Sequence, residues 1–105
     1  MSTRIGTIAD FADGAATKVN VNGVDMAVVR IGDGFWAIND LCSHGNVSLS
    51  EGEVNPSTKE LECWKHGSAF NLETGCPNTL PATQPVAVYT VTVSGGDVFI
   101  ENGTK

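Results

Sequence analysis

The chain has 105 residues, and its 12 Asp and Glu outweigh 6 Lys and Arg to give a formal net charge of −6. That length makes one domain, large enough to build a core without disulfide staples, and a hydrophobic fraction of 41% fits an ordinary globule. The acidic balance excludes the basic footprint that nucleic acid requires and favours a partner with a basic docking face.

The opening stretch, "MSTRIGTIADFADG", holds no apolar run of signal-peptide length, and no run along the chain approaches the ~18 apolar residues of a membrane span. A cytoplasmic chain without membrane association is expected, in a compartment where structural disulfides are rare. Asn46-Val47-Ser48 and Asn102-Gly103-Thr104 match the glycosylation pattern, which has no consequence there.

The next segment, "TKVNVNGVDMAVVRI", alternates at Val19 and Val21, turns at Asn22-Gly23 and alternates again at Val24, Met26 and Val28. Asn-Gly between alternating runs predicts a hairpin. Gly32-Asp33-Gly34 leads into a strand over Phe35–Asn39. The run from Gly32 to Ala37 has the outline of a dinucleotide-binding G-x-G-x-x-A, but it lies between two strands with no helix to meet a pyrophosphate, so it reads as a tight turn. A C-terminal hairpin is predicted from Pro85–Val93, the turn Ser94-Gly95-Gly96 and Asp97–Glu101. Nothing carries a helix-length 3.6-residue period. Short strands with frequent turns imply an all-β sandwich or barrel.

Between Asn39 and Pro85 the chain is mostly turn formers, with short candidate strands near "ELEC" and "AFNL". A stretch of that length needs something to order it. It contains both histidines of the chain and all three cysteines, four of these five residues in a regular pattern: Cys42-x-His44, 18 residues, then Cys63-x-x-His66. Thiolate and imidazole suit zinc, iron or iron–sulfur sites, and not calcium or magnesium. A Cys₂His₂ set closes a tetrahedral zinc site, but the common finger groups its cysteines apart from its histidines, whereas here each loop has one of each. The alternating order suits a two-iron cluster, one iron on two thiolates and the other on two imidazoles.

With those residues in view, the segment resembles the Rieske [2Fe–2S] motif, C-x-H…C-x-x-H. "CSHGNVSLSEGEV" is similar to the first cluster loop of bacterial Rieske-type ferredoxins, "CWKHGSAFNLETG" to the second, and "LPATQPVAVY" to the proline loop that covers the cluster. The resemblance covers essentially the whole chain. It implies an all-β fold, a Rieske-type β-sandwich with a small inserted cluster-binding subdomain: one domain over 1–105, with cluster loops at about 40–85. It implies one [2Fe–2S] cluster per chain, Cys42 and Cys63 on the inner iron and His44 and His66 on the outer one. It also implies an electron exit at the two imidazole edges, where electron and proton affinity are coupled.

Three departures from the family pattern carry information. Asn55-Pro56-Ser57-Thr58 reads as a surface insertion that absorbs a slightly long gap between the loops. Lys65 replaces an aromatic residue common in oxygenase-associated members. Val47 and Lys65 stand where respiratory Rieske proteins carry a disulfide, which places the chain with ferredoxins and not with quinol oxidases. In high-potential members a serine and a tyrosine of the second loop donate hydrogen bonds toward the cluster. Here the serine is Ser68, but the tyrosine position is Phe70, so a reduction potential near the low end of the Rieske range, about −150 mV, is expected.

An oxygenase of this family needs a second, mononuclear iron, commonly on two histidines and a carboxylate. Both histidines are already assigned, so the chain reads as an electron carrier and not an enzyme. The resemblance implies transfer from a flavin-dependent NAD(P)H reductase to a terminal non-haem iron oxygenase, with the carrier a monomer. Two alternatives stand beside it: a Rieske protein of iron–sulfur cluster assembly or a nitrite-reductase small subunit, and a structural zinc-binding interaction module. Cys76 is expected to be a free thiol in a turn. Trp64 packs the loop or contributes to docking, and Glu51, Glu53, Glu60 and Glu62 form a solvated face or a docking surface. Pro77, Pro81 and Pro85 are expected to stiffen the cover.

Overall fold

The computed structural model describes residues 2–21, 23–40, 48–62, 69–76 and 86–104. The strands are β1 (Ser2–Thr7), β2 (Ala15–Val21), β3 (Val24–Ile31), β4 (Gly34–Asn39), β5 (Val54–Asn55), β6 (Glu60–Glu62), β7 (Ala69–Asn71), β8 (Val88–Ser94) and β9 (Asp97–Thr104). Short 3-10 turns at Ile8–Asp10 and Leu49–Glu51 are the helical elements among the described residues. The all-β expectation holds.

Six strands form one sheet in the order β1-β9-β8-β4-β3-β2, and β5-β6-β7 form a second, three-stranded sheet. Every ladder is antiparallel, as hairpin connections allow. The two predicted hairpins and the tight turn between them are present: Val21 pairs with Val24 across the first hairpin turn, Ile31 with Gly34 across the tight turn, and Ser94 with Asp97 across the last hairpin turn. At that last turn Gly95 and Gly96 have φ of 59° and 83°, the double positive φ of a type I′ hairpin turn, whose twist matches that of the strands.

Two elements differ from the sequence reading. β1 was not predicted, because "STRIGT" offers a single large apolar residue and no alternation. It forms by borrowing the edge of β9, pairing Ser2 with Glu101 through Thr7 with Asp97, with a bulge between Arg4 and Gly6. The alternation in β3 suggests a strand wet on one face, yet Met26, Ala27, Val28 and Val29 are all buried. Two cores explain this. Met26 and Val28 point into one with Phe11, Val21, Ala37, Tyr89, Val98 and Ile100. Ala27 and Val29 point into the other with Ile38, Leu49, Leu61, Phe70, Leu72, Val86 and Val88. A strand covered on both faces needs a continuous apolar run.

The first core lies on the face that also receives the N-terminal segment. Phe11 meets Phe35 edge-on at a centroid distance of 5.7 Å, the geometry an aromatic quadrupole favours. The Arg30 guanidinium fastens the segment by donating to the Phe11 carbonyl at 2.9 Å and, through Nε, to the Gly32 carbonyl at 2.9 Å. The second core joins the large sheet to the small one, so the three-stranded sheet is carried on buried leucine and phenylalanine. Each such side chain stabilises the fold by roughly 1.5–3 kcal/mol on burial.

Asn55-Pro56-Ser57-Thr58, read above as a surface insertion, begins in β5 and forms the exposed tip of the β5–β6 hairpin, where Asn55 pairs with Glu60. The tip is fastened to the body. Lys59 has φ 56°, its carbonyl accepts from the Leu72 N–H at 2.9 Å, and its ammonium lies 5.3 Å from the Trp36 ring centroid and 3.7 Å from Glu73.

Candidate metal centre

Cys42, His44, Cys63, His66 and Ser68 lie outside the described residues, as do Val47, Trp64, Lys65, Pro77, Pro81 and Pro85. The structure does describe the bases of the three segments that hold them: 41–47, 63–68 and 77–85. Each base is closed by hydrogen bonds, and the three are built onto one another.

The first segment is closed between Asp40 and Ser48–Ser50. The Asp40 carbonyl accepts from the Leu49 N–H at 2.5 Å. Its carboxylate accepts from the Ser50 N–H at 2.8 Å and, on the other oxygen, from the Ser48 hydroxyl. Leu49 is fully buried and nails the turn into the second core. Asp40 is 3% exposed, the one buried charged side chain among the described residues.

The second segment connects β6 to β7, which pair antiparallel. Glu62 pairs with Ala69 directly beneath it, and Leu61 with Phe70 one step further down. Phe70 is fully buried, packed with Leu49, Leu61 and Leu72. The third segment is closed at Gly75, whose carbonyl accepts from the Val86 N–H at 2.9 Å while its own N–H donates to the Asn71 carbonyl at 2.7 Å. A side chain at Gly75 would lie 2.1 Å from the Val86 carbonyl oxygen, at φ +76°. Asn71 shapes this turn by accepting from the Glu73 and Thr74 N–H groups at 2.8 and 3.1 Å.

The bases then join. The Glu62 N–H donates to the Glu53 carbonyl at 2.8 Å. Gly52 packs so closely on the Glu62 carbonyl that a Cβ there would sit 1.7 Å from the oxygen. Asn39, one residue before Asp40, donates its N–H to the Ala87 carbonyl at 2.8 Å, which ties the first segment to the third. Cys76 lies exposed with a free thiol.

The Cys–His pairs singled out in the sequence lie in the first two of these segments, outside the described residues, and the sequence reading did not single out Asp40, Gly52 or Gly75 at the bases. Their roles are contacts across the fold, and no local spacing signals them. The donor chemistry fits an iron–sulfur cluster: two Cys–His pairs on two segments whose bases are locked together, with a third segment closed alongside. Glu51, Glu53 and Glu62 are exposed near these bases, and Glu60 is half-buried.

A two-sheet β fold with such a double loop is that of a Rieske domain, and the chain belongs to the Rieske [2Fe–2S] domain family, whose model matches residues 2–90; the family implies a [2Fe–2S] cluster. Within it, the chain is 44% identical over 94 residues to the 3-phenylpropionate/cinnamic acid dioxygenase ferredoxin subunit of Escherichia coli (strain K12), covering 90% of this chain and 87% of that protein. Among solved structures, the ferredoxin of carbazole 1,9a-dioxygenase from Nocardioides aromaticivorans IC177 superposes with a TM-score of 0.92 at 35% identity, over 95% of this chain and 96% of the other. A chain in the complex of reduced oxygenase and oxidized ferredoxin of carbazole 1,9a-dioxygenase matches with a TM-score of 0.91 at 38% identity, over 99% and 95% of the two chains. The similarity is to ferredoxins of dioxygenase systems.

Proposed function

We propose that this chain is a one-electron carrier holding one [2Fe–2S] cluster on Cys42, Cys63, His44 and His66, reduced by a flavin-dependent NAD(P)H reductase and oxidised by a terminal non-haem iron oxygenase. The observation that carries the reading is the near full-length similarity to dioxygenase ferredoxin subunits, in a chain whose only two histidines are each paired with a cysteine at Rieske spacing. No histidine is left for a mononuclear iron site of the oxygenase type. The carrier works in the cytoplasm as a monomer, which leaves the imidazole edges free to meet each partner in turn. Among the described residues no helix is long and apolar enough to cross a membrane.

When bound, the cluster supplies one-electron chemistry. Two ferric ions, two sulfides and two thiolates sum to zero charge, so the reduced form carries −1. The residues set how readily that charge is accepted. Cys42 and Cys63 contribute the negative ligands, while neutral His44 and His66 add none and keep reduction accessible. Hydrogen-bond donors near the sulfurs offset the added charge and raise the potential.

Ser68 is one such donor in this reading, and Phe70 lacks the hydroxyl that would supply another. Phe70→Tyr is expected to raise the midpoint and Ser68→Ala to lower it, both read by redox titration. A buried tyrosine hydroxyl that found no partner would instead cost about 1–3 kcal/mol of stability and leave the midpoint unmoved, defeating this account of tuning.

The test of the whole reading is the iron, acid-labile sulfide and zinc content of anaerobically purified protein, with its visible spectrum. Two irons and two sulfides per chain, with colour that bleaches on reduction, are expected. One zinc without sulfide or colour, persisting after reconstitution with iron and sulfide, would make the chain a structural module.

A further inference from the structure

We propose that Asp40 is a positioning residue for the first cluster loop and that its buried carboxylate charge holds the reduction potential down. The inference rests on the assignment of Cys42 as a ligand, and adds to it a residue outside the ligand set.

Asp40 is 3% exposed, and a carboxylate seldom sits at such a site without a partner for each oxygen. Both have one. The first oxygen accepts from the Ser50 N–H at 2.8 Å, and the second from the Ser48 hydroxyl. Ser48 and Ser50 in turn lie 2.9 Å apart, hydroxyl to hydroxyl. With the backbone bond from Leu49 N–H to the Asp40 carbonyl, one residue spans both ends of segment 41–47. From the other side, the Asp40 N–H donates to the Asp25 carbonyl at 3.0 Å, which fixes the brace to β3. Among the described residues the cation beside it is Lys18 on β2, whose ammonium lies 4.0 Å from the carboxylate, 3.7 Å from Asp25, and is 53% exposed.

The hydrogen bonds alone do not require a charge. An asparagine at this position keeps them: its carbonyl oxygen accepts from Ser50, its amide donates to the Ser48 hydroxyl, and that hydroxyl turns its proton to Ser50. What the carboxylate adds is a negative charge on a residue two positions before Cys42. Two trans peptide units span at most ~7.6 Å between Cα atoms, so the residue that carries the charge stays within that backbone distance of Cys42. In a buried setting such a charge is weakly screened. It opposes an added electron more than it affects the neutral oxidised state, and so lowers the potential.

The test is the midpoint, by redox titration of iron- and sulfide-replete protein, for Asp40→Asn, Ser48→Ala and Lys18→Gln. Asp40→Asn keeps the brace and removes the charge, and an upward shift is expected. Ser48→Ala removes a brace bond and keeps the charge. It is expected to leave the midpoint near wild type while bleaching faster in the presence of a chelator. Lys18→Gln unmasks the carboxylate, and a smaller downward shift is expected. An Asp40→Asn midpoint equal to wild type overturns the charge effect, and an equal rise in Ser48→Ala would make the effect one of loop geometry. A Ser48→Ala protein that bleaches no faster than wild type overturns the positioning role. If Asp40→Asn cannot hold a cluster, Lys18→Gln decides whether a charge change at this place reaches the cluster: a downward shift supports that reach, and no shift overturns the charge effect. A wild-type chain that takes up no iron and sulfide defeats the ligand assignment itself, a separate outcome from a cluster-bearing chain whose midpoint ignores Asp40.

Discussion

Gly52→Ala is expected to destabilise the protein by about 3 kcal/mol or more and to strip iron from whatever folds. The backbone conformation is not the reason, because Gly52 at φ −85° and ψ −176° occupies a region open to any L-residue. The reason is steric. An added Cβ would lie 1.7 Å from the Glu62 carbonyl oxygen, 2.9 Å from its carbon and 3.3 Å from the Leu49 carbonyl oxygen. None of these is a flexible side chain that can swing aside. Glu62 is held by its N–H bond to the Glu53 carbonyl and by its pairing with Ala69, so the strand must move as a unit or the 3-10 turn must unseat buried Leu49. Overpacking typically costs 1–3 kcal/mol and occasionally more, a large share of the ~5–15 kcal/mol that stabilises a domain. Either movement separates the bases of the two segments proposed to hold the cluster, so metal content is expected to fall with stability. Gly95→Ala is the control: its Cβ meets nothing within 4 Å at φ +59°, so it carries only the cost of the left-handed conformation, roughly 1–2 kcal/mol. Urea unfolding and iron content of the two variants check this. Equal losses in both would mean that the close approach of Gly52 to Glu62 does not hold the loops together.

The contrast between Gly52 and Cys42 shows what the sequence discloses and what it withholds. A cysteine two residues from a histidine states its chemistry in the residue types themselves, and a second such pair narrows the metal. The hairpins were legible for a similar reason: Asn22-Gly23 and Gly95-Gly96 carry their backbone preferences locally, and the alternating valines beside them carry a period. β1 was not, since its pairing partner β9 lies at the opposite end of the chain and the strand is specified by an available edge more than by its own residues. The doubly buried face of β3 was hidden too, because Ala27 and Val29 read as ordinary strand residues until the small sheet is placed over them. Asp40, Gly52 and Gly75 complete the pattern. A buried carboxylate, a glycine under a distant carbonyl and a glycine closing a loop are each common residues in turn-rich sequence, and only the fold gives them their neighbours.

His66→Cys is expected to retain a coloured cluster and to lower its midpoint by on the order of 100 mV or more. On the proposed ligand set the substitution replaces a neutral ligand with a thiolate, so both oxidation states gain a negative charge and the added electron meets a cluster that is already anionic. Potentials near −150 mV at the low end of Rieske centres and near −400 mV for four-cysteine plant-type ferredoxins bracket the two histidine-to-cysteine exchanges together, and one exchange should cover a substantial part of that interval. The consequence for a carrier is directional. At about 59 mV per tenfold for one electron, a drop of about 100 mV makes the equilibrium for accepting an electron from a given donor roughly fifty-fold less favourable, and makes donation to a given acceptor more favourable by the same factor. Reduction of the variant by a donor of fixed potential should therefore become incomplete, although the onward transfer from the reduced fraction is more downhill. His44→Cys should act in the same direction, as it adds the same charge to the same iron. Redox titration of both variants beside wild type, with iron and sulfide content held equal, reads the effect directly. An unchanged midpoint in His66→Cys at full cluster occupancy would remove His66 from the ligand set and leave the alternating Cys–His order of the two loops without its chemical reason.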